Sequence, residues 1–189
     1  MIFKGCGINI VTPFTDTNEV DFDSLGNLVD TYLKVGAQAI ILGRTSGEFY
    51  AMSDNEILEV VDFVVKKVNK KVPVLAQTGL NDTSRSVILS IRAKALGLDG
   101  LILSAPYYSQ GNELGLISHF KSIAIAGGLP TYIDNDPVRT GLNLAPGLVA
   151  KLAEIPNIVG IIESSSDLNH LADLSPLIND NFALISGND

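Results

Sequence analysis

The stretch N-I-V-G-I-I-E-S-S-S, residues 157–166, decides the fold. Its first half is apolar at consecutive positions, the pattern of a strand covered on both faces as in a parallel sheet. Its second half is small and polar, a loop leading into a helical pattern. Six further runs have the same character: Gly7–Val11, Ala37–Leu42, Val72–Ala76, Gly100–Ser104, Thr131–Asp134 and Phe182–Ile185. The strand of the opening stretch covers Ile158–Ile162.

Between these runs lie six candidate helices. The second opens with a capping box, Ser53 to Glu56, in which hydroxyl and carboxylate each satisfy an exposed backbone N–H. Its apolar positions Ile57, Val61, Val64, Val65 and Val68 fall on one face. Lys66, Lys67, Lys70 and Lys71 gather at its end, where the helix dipole favours cations. The third helix starts near Asp82 or Thr83 and ends at Gly97, and the sixth starts near Ser166 or Asp167. Pro106, Pro130, Pro137, Pro146 and Pro156 fall in connections.

A βα repeat gives an α/β protein, either a doubly wound sheet or a (β/α)8 barrel. A doubly wound nucleotide fold would advertise a G-x-G-x-x-G loop, and there is none. A barrel puts its chemistry at the C-terminal ends of its strands, where this chain keeps its unusual polar residues. The expectation is a TIM barrel truncated after about seven strands, with residues 1–189 forming a single, incomplete barrel domain. Its closing segment would come from a partner chain or from a longer product.

Composition narrows the function. With 13 basic and 21 acidic residues the formal charge is -8, which disfavours nucleic acid and anionic lipid. Apolar residues make up 46 % and charged residues 18 %, enough for a buried core. No apolar run approaches the roughly 20 residues that span a bilayer. Cys6 has no internal partner, and the N-terminus lacks a long apolar region, so the expected location is cytoplasmic.

Three strand-end segments carry chemistry-capable residues. G-R-T-S-G-E, residues 43–48, can converge hydroxyls and backbone N–H groups on a carboxylate, or be an ordinary βα turn. S-A-P-Y-Y-S, 104–109, sets paired tyrosines where they could relay protons or pack an interface. In D-N-D-P-V-R-T-G, 134–141, Arg139 can grip a carboxylate bidentately or sit solvated in a loop.

Taken in order, V-T-P-F near residue 12, T-S-G-E at 45–48, Q-T-G-L-N at 77–81, A-P-Y-Y at 105–108, H-F-K-S-I-A at 119–124, P-V-R-T-G at 137–141, N-I-V-G-I at 157–161 and L-I-S-G-N-D at 184–189 resemble one family. It is that of 4-hydroxy-tetrahydrodipicolinate synthase and N-acetylneuraminate lyase, the pyruvate-dependent class I aldolases. The Tyr-Tyr and Arg-Thr-Gly segments look closer to the synthase branch. The resemblance implies condensation of pyruvate with aspartate semialdehyde through a Schiff base, in lysine biosynthesis, with no cofactor or metal. It implies that Thr45 belongs to a proton relay and that Thr45 and Ser46 hold the pyruvate carboxylate. Tyr108 would reach a neighbouring subunit's pocket and Arg139 would bind the second substrate's carboxylate, within a homo-oligomer or an assembly with a paralogue.

The same resemblance exposes departures. The family pattern N-I-[IV]-G-[IV]-K-[ED] puts its Schiff-base lysine at position 162, which is Ile162. The family's catalytic tyrosine falls at Asp134, with Tyr132 two residues earlier. Arg44 stands at a position that is commonly glycine. The family's lysine feedback site is only partly matched: Asn81 and Tyr107 agree, Arg85 takes an acidic position, and Asp54 and Ile57 replace histidines. No lysine lies at the end of an expected strand. The expected outcome is family chemistry lost or severely weakened.

Two alternatives stay open. One is a keto-acid sensor or an inactive partner subunit. The other is a metal-assisted lyase built on Asp134, Asp136 and Glu163. His119 and His170 are assigned no chemistry and are expected at surface or half-buried helix positions.

Overall fold

In the computed structural model, residues 2–187 are described; Asn188 and Asp189 of the L-I-S-G-N-D segment lie outside the described residues. Seven strands follow one another in the order β1-β2-β3-β4-β5-β6-β7. A doubly wound sheet reverses its order at a switch point. This one never does, which is the winding of a (β/α)8 barrel through seven of its strands.

The described chain divides into two compact units. The first comprises Ile2–Gln77 with Arg92–Gly100. It holds β1 (Gly7–Asn9), α1 (Phe22–Lys34), β2 (Ala39–Leu42), α2 (Asp54–Val68), the start of β3 (Val74–Gly79) and the end of α3 (Thr83–Ala95). β1, β2 and β3 pair in parallel. Ile57, Val61, Val64 and Val68 of α2 are fully buried, as their helical spacing requires. The α2 capping box forms as expected between Ser53 and Glu56. Helix α1 packs on α2 through the rings of Phe22 and Phe63, 5.0 Å apart, and through Lys67 and Asp30 at 2.6 Å.

The second unit comprises Thr78–Ile91 and the chain from Leu101 onward. It holds the end of β3, most of α3, β4 (Gly100–Ser104), α4 (Glu113–Gly127), β5 (Thr131–Asn135), α5 (Pro137–Thr140), α6 (Pro146–Ala153), β6 (Ile158–Glu163), α7 (Leu168–Leu174), a 3-10 turn at Ser175–Leu177, and β7 (Ala183–Ser186). β4 through β7 pair in parallel. Gly160 is fixed by packing: a Cβ there would meet the Tyr132 ring at 2.8 Å and the Ala183 carbonyl at 2.6 Å. No helix among the described residues is long and apolar enough to cross a membrane.

The structure corrects several boundaries. β1 stops at Asn9 rather than Val11, and β3 runs from Val74 to Gly79 rather than from Val72 to Ala76. The D-N-D-P-V-R-T-G segment is not all loop. Pro137 opens the short α5, where its missing N–H costs nothing, and Asp136 caps it by accepting from the Arg139 N–H. Both histidines are buried, His119 on α4 and His170 on α7, against the surface or half-buried placement expected.

Candidate active site

Two of the residues singled out in the sequence, Thr45 and Ser46, belong to the first unit. They sit in the loop after β2. The loop is wound tightly: Gly43 has φ +81°, and the Gly47 N–H donates to the Gly43 carbonyl at 3.0 Å. A Cβ on Gly43 would lie 2.5 Å from the Phe49 ring. Arg44 adopts φ +53°, a conformation that glycine takes without strain and arginine does not. Asn9 at the end of β1 and Thr12 just beyond it both steady this loop. Thr12 Oγ1 donates to the Gly47 carbonyl at 2.7 Å, and Asn9 Nδ2 donates to Ser46 Oγ at 3.2 Å. Thr45 and Ser46 are exposed.

The other four, Tyr108, Asp134, Arg139 and Ile162, belong to the second unit. Asp134 on β5 is in register with Ile162 on β6, and Ile162 with Ile185 on β7. Ser104 on β4 is in register with Asp134. Residues in register on adjacent parallel strands point to the same face, with strands about 4.8 Å apart. Ser104, Asp134, Ile162 and Ile185 thus form one row at the C-terminal end of the sheet. Asp134 and Ile162 are 3 % and 2 % exposed. Gly187 closes on this row: a Cβ there would come within 3.0 Å of Ile162 Cγ2.

Tyr108 follows β4, is 93 % exposed and has φ +70°, a costly conformation for an aromatic residue. Arg139 is exposed on α5. The loops bearing these two residues are tied together, because Gln110 Nε2 donates to the Gly141 carbonyl at 2.7 Å.

Glu163 points the other way from Ile162, as alternation along a strand demands. Its carboxylate accepts from Asn135 Nδ2 at 2.8 Å and from the Ser165 N–H at 2.7 Å. His170 Nε2 donates to the Leu144 carbonyl at 2.9 Å, and its Nδ1 lies 3.2 Å from Glu163 Oε2 without hydrogen-bond alignment. Asn135 in turn donates to Asn143 Oδ1 at 2.8 Å and accepts from the Leu144 N–H at 3.0 Å. This buried polar cluster fastens β5, β6 and α7, and no sequence motif announced it. The same geometry separates the carboxylates named for the metal-assisted alternative. Glu163 and Asp134 lie on opposite faces, Asp136 is used as the α5 cap, and no cluster of three potential ligands exists among the described residues.

No lysine lies at the C-terminal end of a strand among the described residues. In the second unit the lysines are Lys121 on α4 and Lys151 on α6, both exposed, the latter paired with Glu113. In the first unit they lie before β1, on helices, or in the turn before β3. Of the feedback-site positions, Ile57 is 0 % exposed and serves the core.

Comparison with known proteins gives one answer. The dihydrodipicolinate synthetase family matches residues 2–189. The 4-hydroxy-tetrahydrodipicolinate synthase of Caldicellulosiruptor saccharolyticus is 44 % identical over 188 residues, covering 100 % of this chain and 63 % of that protein. The dihydrodipicolinate synthase DapA-2 of Bacillus anthracis superposes with a TM-score of 0.95 at 35 % identity, covering 100 % of this chain and 65 % of that one. The Acinetobacter baumannii dihydrodipicolinate synthase complexed with pyruvate superposes with a TM-score of 0.94 at 37 % identity, over 99 % of this chain and 64 % of that one. The chain therefore spans less than two thirds of the length of these relatives.

Proposed function

The chain belongs to the dihydrodipicolinate synthetase family, and from that premise we propose that it keeps the family's acid-binding frame while lacking Schiff-base chemistry. The observation that carries the reading is Ile162, buried in register with Asp134 at the end of β6. Covalent catalysis by imine formation depends wholly on its amine. A hydrocarbon branch forms no imine, so position 162 offers no electron sink to acidify the methyl group of a keto acid.

Each compact unit keeps its own part of that frame. In the first, the Thr45 and Ser46 hydroxyls, set on a glycine-bounded turn, hold the carboxylate of a small acid such as pyruvate. In the second, Arg139 carries a guanidinium suited to gripping a carboxylate. The Asp134 carboxylate, where the family has tyrosine, disfavours the approach of further negative charge. The resulting protein is a small-acid binder, acting as a sensor or as a subunit beside an active paralogue, in the cytoplasm. Tyr108 supports assembly. An aromatic side chain held 93 % exposed in a strained conformation is suited to filling a pocket on another subunit.

Calorimetric titration with pyruvate tests the frame. Reversible saturable binding that Ser46→Ala weakens is expected. No binding of any small carboxylic acid would remove the proposal.

A further inference from the structure

Arg139 rides on an excursion of the second unit, residues 136–144, that leaves the end of β5 and returns to it. Both ends meet at Asn135. Its Oδ1 accepts from the Leu144 N–H at 3.0 Å. Its Nδ2 gives one hydrogen to Asn143 Oδ1 and the other to Glu163 Oε2, each at 2.8 Å. Leu144 is held at its other polar group too, because His170 Nε2 donates to its carbonyl at 2.9 Å. A compact loop whose ends lie this close is fixed at its neck. It is also stitched within and at its tip. The Thr140 N–H donates to the Asp136 carbonyl at 2.9 Å, and Gln110 Nε2 donates to the Gly141 carbonyl at 2.7 Å.

Arg139 itself is exposed, so its backbone is held while its guanidinium stays open to solvent. Ordering that is complete before a ligand arrives subtracts nothing from affinity. We propose that His170 is a positioning residue for Arg139, locking the neck of its loop so that the guanidinium meets a small carboxylate from a fixed base. Glu163 serves the same end by orienting the Asn135 amide. A packing role for His170 would need only the volume of its ring. The neck needs something else, an N–H aimed at the Leu144 carbonyl. This rests on the reading of Arg139 as a carboxylate grip, and adds to it the buried residues that keep the grip in place.

The test follows the Arg139 Nε–H nuclear magnetic resonance signal of the isotope-labelled chain during titration with sodium succinate. The signal is assigned from its loss in Arg139→Lys. A saturable shift is expected in the unmodified chain. His170→Phe keeps a ring and lacks the donor; it is expected to weaken succinate about fivefold and to lower the heteronuclear Overhauser effect of the Arg139 amide. His170→Gln can still donate to the Leu144 carbonyl and is expected to bind within about twofold of the unmodified chain. Asn143→Ala loosens the same neck from an exposed position and is expected to weaken succinate roughly twofold to threefold. It carries the test where His170→Phe does not fold. Unchanged affinity in the variant read, or His170→Gln as weak as His170→Phe, would overturn the positioning role while leaving Arg139 as the grip. An Arg139 signal that succinate does not move in the unmodified chain would overturn the grip and the positioning role together.

Discussion

Asp134 and Ile162 occupy the same rung of adjacent parallel strands, β5 and β6, and both are buried. Their side chains share the face that also carries Ser104 and Ile185, while Glu163 turns to the opposite side. The positions at which the resemblance expects a lysine and a tyrosine are therefore immediate neighbours in this fold, and the two departures meet at one buried point.

This adjacency has a chemical consequence. A lysine introduced by Ile162→Lys would stand beside the Asp134 carboxylate, which favours the charged, non-nucleophilic ammonium. The pH dependence of imine formation in Ile162→Lys is expected to lie about 1–3 units higher than in the double variant Ile162→Lys/Asp134→Tyr. Rates of pyruvate adduct formation measured across pH 6–10 check it. Superimposable profiles would show that Asp134 does not act on position 162.

The buried cluster behind β6 should govern stability. His170→Phe deprives the Leu144 carbonyl of its donor and Glu163 of its neighbour. Urea denaturation is expected to show a loss of about 2–4 kcal/mol. Glu163→Gln keeps an acceptor oxygen for only one of its two donors, Asn135 Nδ2 or the Ser165 N–H, and turns an NH2 toward the other, so it is expected to cost about 1–3 kcal/mol. An effect of His170→Phe below about 0.5 kcal/mol would contradict the role of the cluster.

Acid should destabilise the protein in two stages. Burial pushes the His119 imidazole below its ordinary value, with Asp82 acting in the opposite direction. The unfolded chain therefore binds this proton more readily. Stability is expected to fall as pH drops below about 6.5 and to level once pH passes the folded value. The Asp21 carboxyl is held below its ordinary value by the Ser24 hydroxyl and then the Ser24 N–H. The Ser53 hydroxyl and then the Ser53 N–H do the same for Glu56. These caps stabilise α1 and α2 above the unfolded carboxylate values, and that contribution is lost as pH falls through the lower folded values. Thermal melts from pH 8 to pH 3 should show both stages, and His119→Gln should abolish the first only. A His119→Gln curve identical to wild type above pH 5 would refute the assignment.

Tyr108 offers a conformational prediction. Its side chain is 93 % exposed, so its replacement removes little packing, while φ +70° is accommodated by asparagine at lower cost. Tyr108→Asn is expected to leave the chain as stable as wild type or up to about 1 kcal/mol more stable. Sedimentation of the same variant reads whether association weakens. A loss of stability greater than about 1 kcal/mol at low protein concentration would show that Tyr108 serves this chain's own fold.

Much of the architecture was legible because it depends on local pattern. Strands apolar at consecutive positions and helices with a 3.6-residue stripe fix a βα repeat before any contact is known. The α2 capping box is a local sequence signal and was read directly. What escaped depends on register or on tertiary packing. The sequence alone allowed Asp134 and Glu163 to converge on a metal; only the pairing of Asp134 with Ile162 and of Asn135 with Glu163 separates them. His170 was expected at a surface or half-buried position because its partners, Leu144 and Glu163, are distant in sequence. The short α5 was hidden because an Asp-Pro start serves equally for a turn or a first helical turn. Asn9 carried no motif at all, and its place beside Ser46 comes from the pairing of β1 with β2.

Borohydride trapping with pyruvate, read by intact-protein mass spectrometry, addresses the absent nucleophile most directly. The unmodified chain is expected to gain no pyruvyl mass, and Ile162→Lys to gain one equivalent, mapped to position 162 by peptide digestion. A stoichiometric pyruvyl adduct on any lysine of the unmodified chain would contradict the account.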